Sequence, residues 1–382
     1  MTAATSTIER TQTSTDRVRG LDSIRFLCAL WVFFGHGAAP ALANPFAEGS
    51  TAGAALRCLY ANIWSGPAAV IVFFVISGFC IHFPFAGSEK RPRLAEFYSR
   101  RFLRLLLPVC IAIPLSGRVG VHLFVFHESI LWSLLAEMIY YVCYPVLRAA
   151  QLRLGSWRGI TVASFIAALA VSATDPAAGN YASYGPGLNW LLGLPCWLLG
   201  CILAESVRTV APRNVFPISI WAWRAGILAA AWVCSFLRFH SPVGYPWTLN
   251  LFAVLVALWL YREIQFRQRV RPSRFFEWAG VWSYSLYLIH PAASALFAEL
   301  FPSLPIGTIR WAAMVCFVLA SAYLFYLCVE WPSHAIARRA AMKLWPRAHA
   351  QIPEPVEDAR PLVDHKGVLQ IAPQPISDFE EV

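Results

Sequence analysis

The stretch that decides the fold is residues 62–84, NIWSGPAAVIVFFVISGFCIHFP, which contains no Asp, Glu, Lys or Arg. A bilayer core of about 30 Å is crossed by a helix of about 20 apolar residues, so this segment predicts a membrane span. Similar apolar stretches recur on both sides of it, and together they predict about ten spans. The predicted spans are residues 21–40, 62–84, 102–117, 129–148, 159–174, 187–205, 217–237, 246–261, 280–301 and 310–331. The expected fold class is therefore all-α, a polytopic transmembrane helical bundle.

Composition and charge support this interpretation. Hydrophobic residues make up 58% of the chain and charged residues only 14%, whereas an ordinary soluble domain carries about 25% charged residues. The net charge of +10 is not spread evenly, because only Arg57, Arg118, Arg238 and Arg310 fall in the segments predicted to lie outside. Basic residues mark cytoplasmic loops, so both ends of the chain are predicted to be cytoplasmic. The positive charge is thus an orientation signal, and no nucleic-acid partner is expected.

The chain divides into one membrane domain and two tails. Residues 1–20 are polar and lack the order of a cleaved signal peptide, which predicts a cytoplasmic N-terminal tail. Residues 21–340 form the predicted membrane domain, and the Pro-rich segment 341–382 is predicted to be a disordered cytoplasmic tail. The ten cysteines lie mostly in apolar runs without zinc-ligand spacing, so we expect no metal.

Two polar residues of the first span are candidates for function. Arg25 and His36 are eleven residues apart, which places them on nearly the same helix face and roughly 16 Å apart along the axis. A neutral imidazole is suited to take a proton from a hydroxyl. The alternative is that Arg25 anchors the helix at the interface and His36 lies at the headgroup level.

A basic cluster precedes the third span. Arg100, Arg101 and Arg104 lie in the segment EKRPRLAEFYSRRFLRLLLP, with Arg101 and Arg104 about one helical turn apart. Guanidinium groups bind phosphates well, so this cluster favours an anionic ligand. The alternative is that it only sets the topology and attracts anionic lipid.

Further polar residues fall at membrane depth, where they are costly and often functional. Glu137 lies within the fourth span, and the alternative to a functional role is a structural ion pair with an Arg or a His. Ser283, Tyr287 and His290 lie in the ninth span, with Tyr287 and His290 adjacent on one helix face. Glu330 lies at the depth of Arg25, which allows an Arg25–Glu330 ion pair.

The ordered motifs resemble those of the acyltransferase 3 family, integral-membrane O-acyltransferases of bacteria that modify cell-surface sugars. The resemblance covers about residues 18–340. It rests on the Arg25–His36 spacing, FFVISGF, FYSRRFLRLLLP, LWSLLAEMIYY, SYSLYLIHP and VEWP, in this order. Many members carry two adjacent acidic residues in the fourth span, whereas Ala136 precedes Glu137 here.

The resemblance implies ten transmembrane helices in a bacterial inner membrane, an acyl-CoA donor from the cytoplasm, and a carbohydrate or glycolipid acceptor. It also implies that Arg25 and His36 are essential and that Arg101 and Arg104 lie near the donor. We expect His36 to act as a base, or to carry the acyl group transiently, while Glu137 or Tyr287 orients the imidazole or polarises the carbonyl. Two rivals remain: a transporter or flippase of a lipid-linked glycan, which could use the same buried residues, and a structural or sensory membrane protein.

Overall fold

A computed structural model describes residues 18–40, 46, 50–123, 129–209 and 218–344. All regular structure in these residues is helical, so the all-α prediction is confirmed. The helices are α1 Leu21–Phe33, α2 Thr51–Ala61, α3 Gly66–His82, α4 Leu94–Arg118, α5 Leu131–Leu154, α6 Trp157–Thr174, α7 Gly185–Thr209, α8 Ile220–His240, α9 Tyr245–Arg269, α10 Arg274–Val281, α11 Ser283–Leu300, α12 Thr308–Phe325 and α13 Trp331–Leu344.

Every predicted span falls on a helix, but the number of spans is confirmed only in part. Six helical stretches of the described residues are long and apolar enough to cross a membrane: Thr51–Phe85, Trp157–Thr174, Tyr181–Thr209, Ile220–His240, Tyr245–Arg269 and Thr308–Ala340. The chain is thus a multi-pass membrane protein, while ten spans and their orientation stay predictions. Helix α2 and most of α10 and α13 lie outside the predicted spans.

The tails lie mostly outside the described residues. Of the predicted N-terminal tail only residues 18–20 are described, and residues 341–344 of the predicted C-terminal tail belong to α13.

Helix α3 is the centre of the bundle. Apolar residues cover all of its sides, which is the pattern of a helix buried all round, and nearly all of its residues are buried. It packs against α1, α7 and α9. Gly78 allows α7 to approach closely, because a Cβ at this position would overlap the carbonyl oxygen of Trp197. Small residues at such crossings are the usual means by which membrane helices pack.

Two helices contain wide turns. After α1, residues Phe34–Ala38 form a π-helical turn that leaves the helical path at Gly37, with φ 87°. A second π-helical turn, Tyr326–Glu330, joins α12 to α13. Such turns occur frequently at functional sites, and each of these two carries a polar residue singled out from the sequence, His36 and Glu330.

Candidate active site

A polar cavity of about 270 Å³ lies between α1, α3, α4, α5 and α11. It collects most of the residues that were singled out from the sequence. Those that line it are Arg25, Arg101, Arg104, Glu137, Ser283 and Tyr287. His36, His290 and Arg100 do not line it.

Three arginines contribute their side chains to this cavity. Arg25 forms an ion pair with Asp22 at 2.9 Å and donates to Cys80 Sγ at 3.2 Å. Within the described part of the chain, Arg101 and Arg104 have no hydrogen bond or ion pair. Their guanidinium groups are therefore available to an anion that enters the cavity.

Arg100 lies elsewhere. Its side chain is 45% exposed and forms an ion pair with Glu96 at 2.7 Å, on the solvent-accessible side of α4. The cluster that the sequence presents as one unit is therefore divided, because consecutive helical residues point about 100° apart.

Glu137 is held by hydroxyl groups rather than by a cation. Ser77 Oγ donates to Glu137 Oε1 at 2.6 Å, and the Tyr141 hydroxyl donates to the same oxygen at 2.5 Å. The alternative of a structural ion pair with an Arg or a His is wrong for the described residues, since Glu137 has no such partner within 4.0 Å there. Arg101 lines the same cavity and is the natural countercharge for a carboxylate at this depth.

Glu330 also lines the cavity, but the Arg25–Glu330 ion pair that the sequence allows is not formed. Glu330 accepts hydrogen bonds from the Ser285 hydroxyl at 2.6 Å and from the Ser285 amide at 3.2 Å, while Arg25 pairs with Asp22 one turn earlier in its own helix. The other oxygen, Oε1, lies 3.6 Å from His334 Nε2, and neither atom has a hydrogen-bond partner among the described residues. These two buried atoms give the cavity an acceptor and a ring nitrogen that a ligand could contact.

His36 forms a pair with His290 of α11. His36 Nδ1 lies 3.3 Å from His290 Nε2, and the ring centroids are 5.1 Å apart. The two residues are 254 positions apart in the chain, so no local pattern could have predicted their contact. His36 is exposed, whereas His290 is buried.

Backbone carbonyls determine which nitrogens carry the protons. His290 Nδ1 lies 2.8 Å from the carbonyl oxygen of Tyr287, and His36 Nδ1 lies 2.8 Å from that of Val32. A carbonyl only accepts, so both Nδ1 atoms must be protonated. Neutral His290 then accepts at Nε2 from His36 Nδ1, which leaves His36 Nε2 with a free lone pair. That is the atom a general base needs.

Arg25 and His36 do not share the cavity, although their spacing in a regular α-helix predicts a common face. Arg25 lines the cavity, whereas the π-helical turn at Phe34–Ala38 separates His36 from that helix face. The wider turn changes the angular step per residue, and the imidazole lies against His290 instead.

Tyr287 lies between the cavity and the histidine pair. Its side chain lines the cavity and its ring centroid is 6.3 Å from that of His290. The Tyr287 hydroxyl lies 2.6 Å from Ser133 Oγ and donates to the carbonyl oxygen of Ile130 at 3.2 Å. Ser283 lies one turn earlier on α11, where its hydroxyl donates to the Gly280 carbonyl at 2.8 Å. The hydroxyl of Ser283 is thus already engaged by the backbone.

Several cavity residues were not singled out from the sequence, and some had a local signal. Asp22 is three residues before Arg25, and Tyr141 is four residues after Glu137, both at the spacing of neighbours on one helix face. His334 follows Glu330 at the same spacing. Ser77 gave a weaker signal as a single hydroxyl in an apolar helix. Within the described residues, no group of three or more His, Cys, Asp or Glu side chains could hold a metal ion.

Comparison with known proteins gives one match. A family model described as an acyltransferase domain matches residues 18–329. No curated protein matches the chain, and no solved structure does.

Proposed function

Because the chain belongs to this acyltransferase family, whose domain covers residues 18–329, we propose that it transfers an acyl group from acyl-CoA to a carbohydrate hydroxyl. The acyl group is expected to be acetyl, and the acceptor a cell-surface or lipid-linked carbohydrate. The reaction takes place within the cytoplasmic (inner) membrane of a bacterium, with the donor entering from the cytoplasm, and no metal takes part.

One observation carries this proposal. The cavity contains three arginines, and the histidine pair lies beside it. Tyr287 borders both, because it lines the cavity and its ring lies next to that of His290. The cavity suits an anionic donor and the histidine pair suits a hydroxyl that must lose a proton. A two-substrate transfer needs both, close together but not superimposed.

Arg101 and Arg104 are the donor-binding residues we propose. Both line the cavity from α4 and have no partner among the described residues, and guanidinium groups bind phosphates bidentately. The phosphates of CoA would lie against them, with the pantetheine arm directed along the cavity toward Tyr287. Arg100 lies outside this donor site, paired with Glu96.

His36 is the proposed general base. The acceptor hydroxyl gives its proton to His36 Nε2 while its oxygen attacks the thioester carbonyl carbon. The carbon–sulfur bond then breaks, and the CoA thiolate leaves and takes the proton from His36. In the covalent alternative His36 Nε2 attacks the thioester carbonyl carbon, the carbon–sulfur bond breaks, and CoA leaves as the thiolate. The acceptor oxygen then attacks the acyl carbon, the bond from that carbon to Nε2 breaks, and the hydroxyl proton passes to the CoA thiolate.

His290 and Tyr287 support this chemistry in different ways. His290 accepts from His36 Nδ1 and so holds the ring, the part that the third group plays in a catalytic triad. The Tyr287 hydroxyl donates to the Ile130 carbonyl oxygen, so it would donate to a developing oxyanion only by leaving that hydrogen bond. Glu137 contacts Ser77 and Tyr141 rather than His36, so its proposed role is to order the donor cavity and to balance the charge of Arg25 and Arg101.

The experiment compares surface glycans of cells that lack the gene with cells that express the wild-type chain or a variant. Mass spectrometry should find an acyl increment, about 42 mass units for acetyl, with the wild type and with Arg100→Ala. It should find none with His36→Ala or with the double variant Arg101→Ala/Arg104→Ala. Loss of the increment in Arg100→Ala as well, with normal protein levels, would remove the argument for a localised donor site.

Transport of a lipid-linked glycan remains the second hypothesis. An assay of the purified protein decides between the two, because only a transferase releases CoA in the presence of an acceptor. An intact increment in cells that express His36→Ala would contradict both the base and the covalent version.

A further inference from the structure

A second cavity of about 510 Å³ lies on the opposite face of α1 and α3, where α8, α9 and α10 close it. It shares no lining residue with the polar cavity. Its wall is largely apolar and includes Leu27, Trp31, Val72, Leu228 and Phe252. We refer to it as the apolar groove.

One end of the apolar groove carries positive charge. Arg224 holds the buried Glu263 through two hydrogen bonds, of 3.0 and 2.6 Å, and Arg267 Nε binds the same carboxylate at 2.9 Å. Two guanidinium groups thus share one carboxylate. Among the described residues, Arg224 Nη1 and both Nη atoms of Arg267 have no further hydrogen-bond partner.

This charged end lies at the ends of helices. Arg224 is in the first turns of α8, and Glu263 and Arg267 are in the last turns of α9. The connection to α10 adds Arg269, Arg271 and Arg274, all exposed, against a single carboxylate, Glu277, which binds the Ser23 hydroxyl and amide. The charged end of the apolar groove therefore keeps an excess of positive charge.

The groove is open toward the surface that faces lipid. Trp221 is 70% exposed and Leu228 is 51% exposed, although both line the groove. The guanidinium of Arg224 lies 4.5 Å from the Trp221 ring centroid, and Trp is typical of the headgroup level. From Ser23 to Trp31 the groove follows α1 for about 12 Å, close to the roughly 15 Å depth of one leaflet.

We propose that the apolar groove is a binding site for one anionic phospholipid. Arg224 and Arg267 bind its phosphate, and one acyl chain lies along the apolar wall toward Trp31. An anionic headgroup is favoured over a zwitterionic one because the site has two cations for one buried carboxylate. This inference does not depend on the transfer reaction, since the groove and the polar cavity have no lining residue in common.

The test uses the purified full-length protein, stripped of lipid in detergent and titrated with phosphatidylglycerol or phosphatidylcholine of the same acyl chains. Native mass spectrometry counts the lipids that each protein molecule keeps. We expect one phosphatidylglycerol, bound about fivefold or more tightly than phosphatidylcholine. Equal binding of the two lipids would overturn the proposed headgroup site.

Matched variants separate this site from ordinary annular lipid. Arg267→Gln keeps the Arg224–Glu263 pair and should reduce the preference for phosphatidylglycerol. Arg153→Gln, on the exposed side of α5 and away from the groove, should leave the preference unchanged. Ala231→Trp fills the groove and should abolish the bound lipid, whereas Ala229→Trp on the exposed face of α8 should not.

Three results would contradict the proposal. The first is that Arg267→Gln keeps the preference for phosphatidylglycerol, and the second is that a folded Ala231→Trp keeps the lipid. The third is that the wild type binds no lipid but forms a dimer, and that Ala231→Trp dissociates this dimer. If Ala231→Trp does not fold, the comparison of Arg267→Gln with Arg153→Gln decides.

Discussion

Replacement of His290 by Phe measures how much the second imidazole contributes to the proposed reaction. The substitution removes the acceptor that lies 3.3 Å from His36 Nδ1 but leaves the Val32 carbonyl oxygen at 2.8 Å from the same atom. Val32 alone keeps the proton on Nδ1, so the tautomer needed for a base at Nε2 survives. Only the orientation of the ring is weakened.

The magnitude follows from this geometry. A neutral hydrogen bond contributes about 0.5–1.5 kcal/mol, which corresponds to a decrease in kcat of about 2- to 12-fold. Loss of the correct tautomer would cost much more, about 10⁴-fold when the orienting group of a triad is replaced. We therefore expect kcat of His290→Phe to fall by about tenfold, with little change in the KM for acyl-CoA, because His290 does not line the donor cavity.

The assay is CoA release by the reconstituted protein, measured by mass spectrometry. His290→Gln, which restores an acceptor oxygen, should recover part of the loss. Two results would refute the reasoning: wild-type kcat in His290→Phe, or a loss as complete as that of His36→Ala. The second would mean that His290 itself transfers the proton.

Three further predictions concern the donor cavity and the bundle. Arg104→Ala should raise the KM for acyl-CoA by about 10-fold or more, the effect of one charge-assisted hydrogen bond. Arg100→Ala should change KM little, because Arg100 pairs with Glu96 outside the cavity. Equal effects of the two variants in steady-state kinetics would contradict this placement. Glu137→Leu leaves the hydroxyls of Ser77 and Tyr141 without their acceptor and should destabilise the fold by about 1–3 kcal/mol. The measurement is the midpoint of thermal unfolding in detergent, which should fall. An unchanged midpoint would show that water replaces the carboxylate. Gly78→Ala should destabilise the α3–α7 contact by about 1–3 kcal/mol through overpacking. Gly66→Ala should not, because there is open space around a Cβ added at Gly66. Equal midpoints of thermal unfolding for the two variants would contradict the close approach of the helices.

Sequence patterns predict the helices well and the membrane spans less well, for one physical reason. The predicted spans that fail the length and hydropathy criterion lie in α1, α4, α5 and α11. These are the helices that carry Arg25, Arg101, Glu137 and His290. The polar side chains of the candidate site also lower the hydropathy on which the prediction of a span depends.

The candidate site shows a similar division between local and distant contacts. The pairing of Tyr287 with His290 follows from helical spacing, and the convergence of Arg25, Arg101 and Glu137 agrees with the rule that buried charges face a common interior. The contact of His36 with His290 joins residues 254 positions apart, and no periodicity encodes it. The Arg25–Glu330 pair that the sequence allows is not formed, because equal depth in the membrane does not specify which side of a helix faces which neighbour.

The π-helical turn at Phe34–Ala38 makes the direction of His36 depend on the number of residues that precede it in the helix. In an α-helix each residue advances the chain by about 100°, so removal of one residue from this turn would re-aim every side chain beyond it. Removal of Phe34 or Gly35 would therefore turn His36 away from His290 even if every candidate site residue were kept. Insertions and deletions at Phe34 or Gly35 should therefore be as damaging as substitution of the imidazole, because they change the spacing of ten residues between Arg25 and His36.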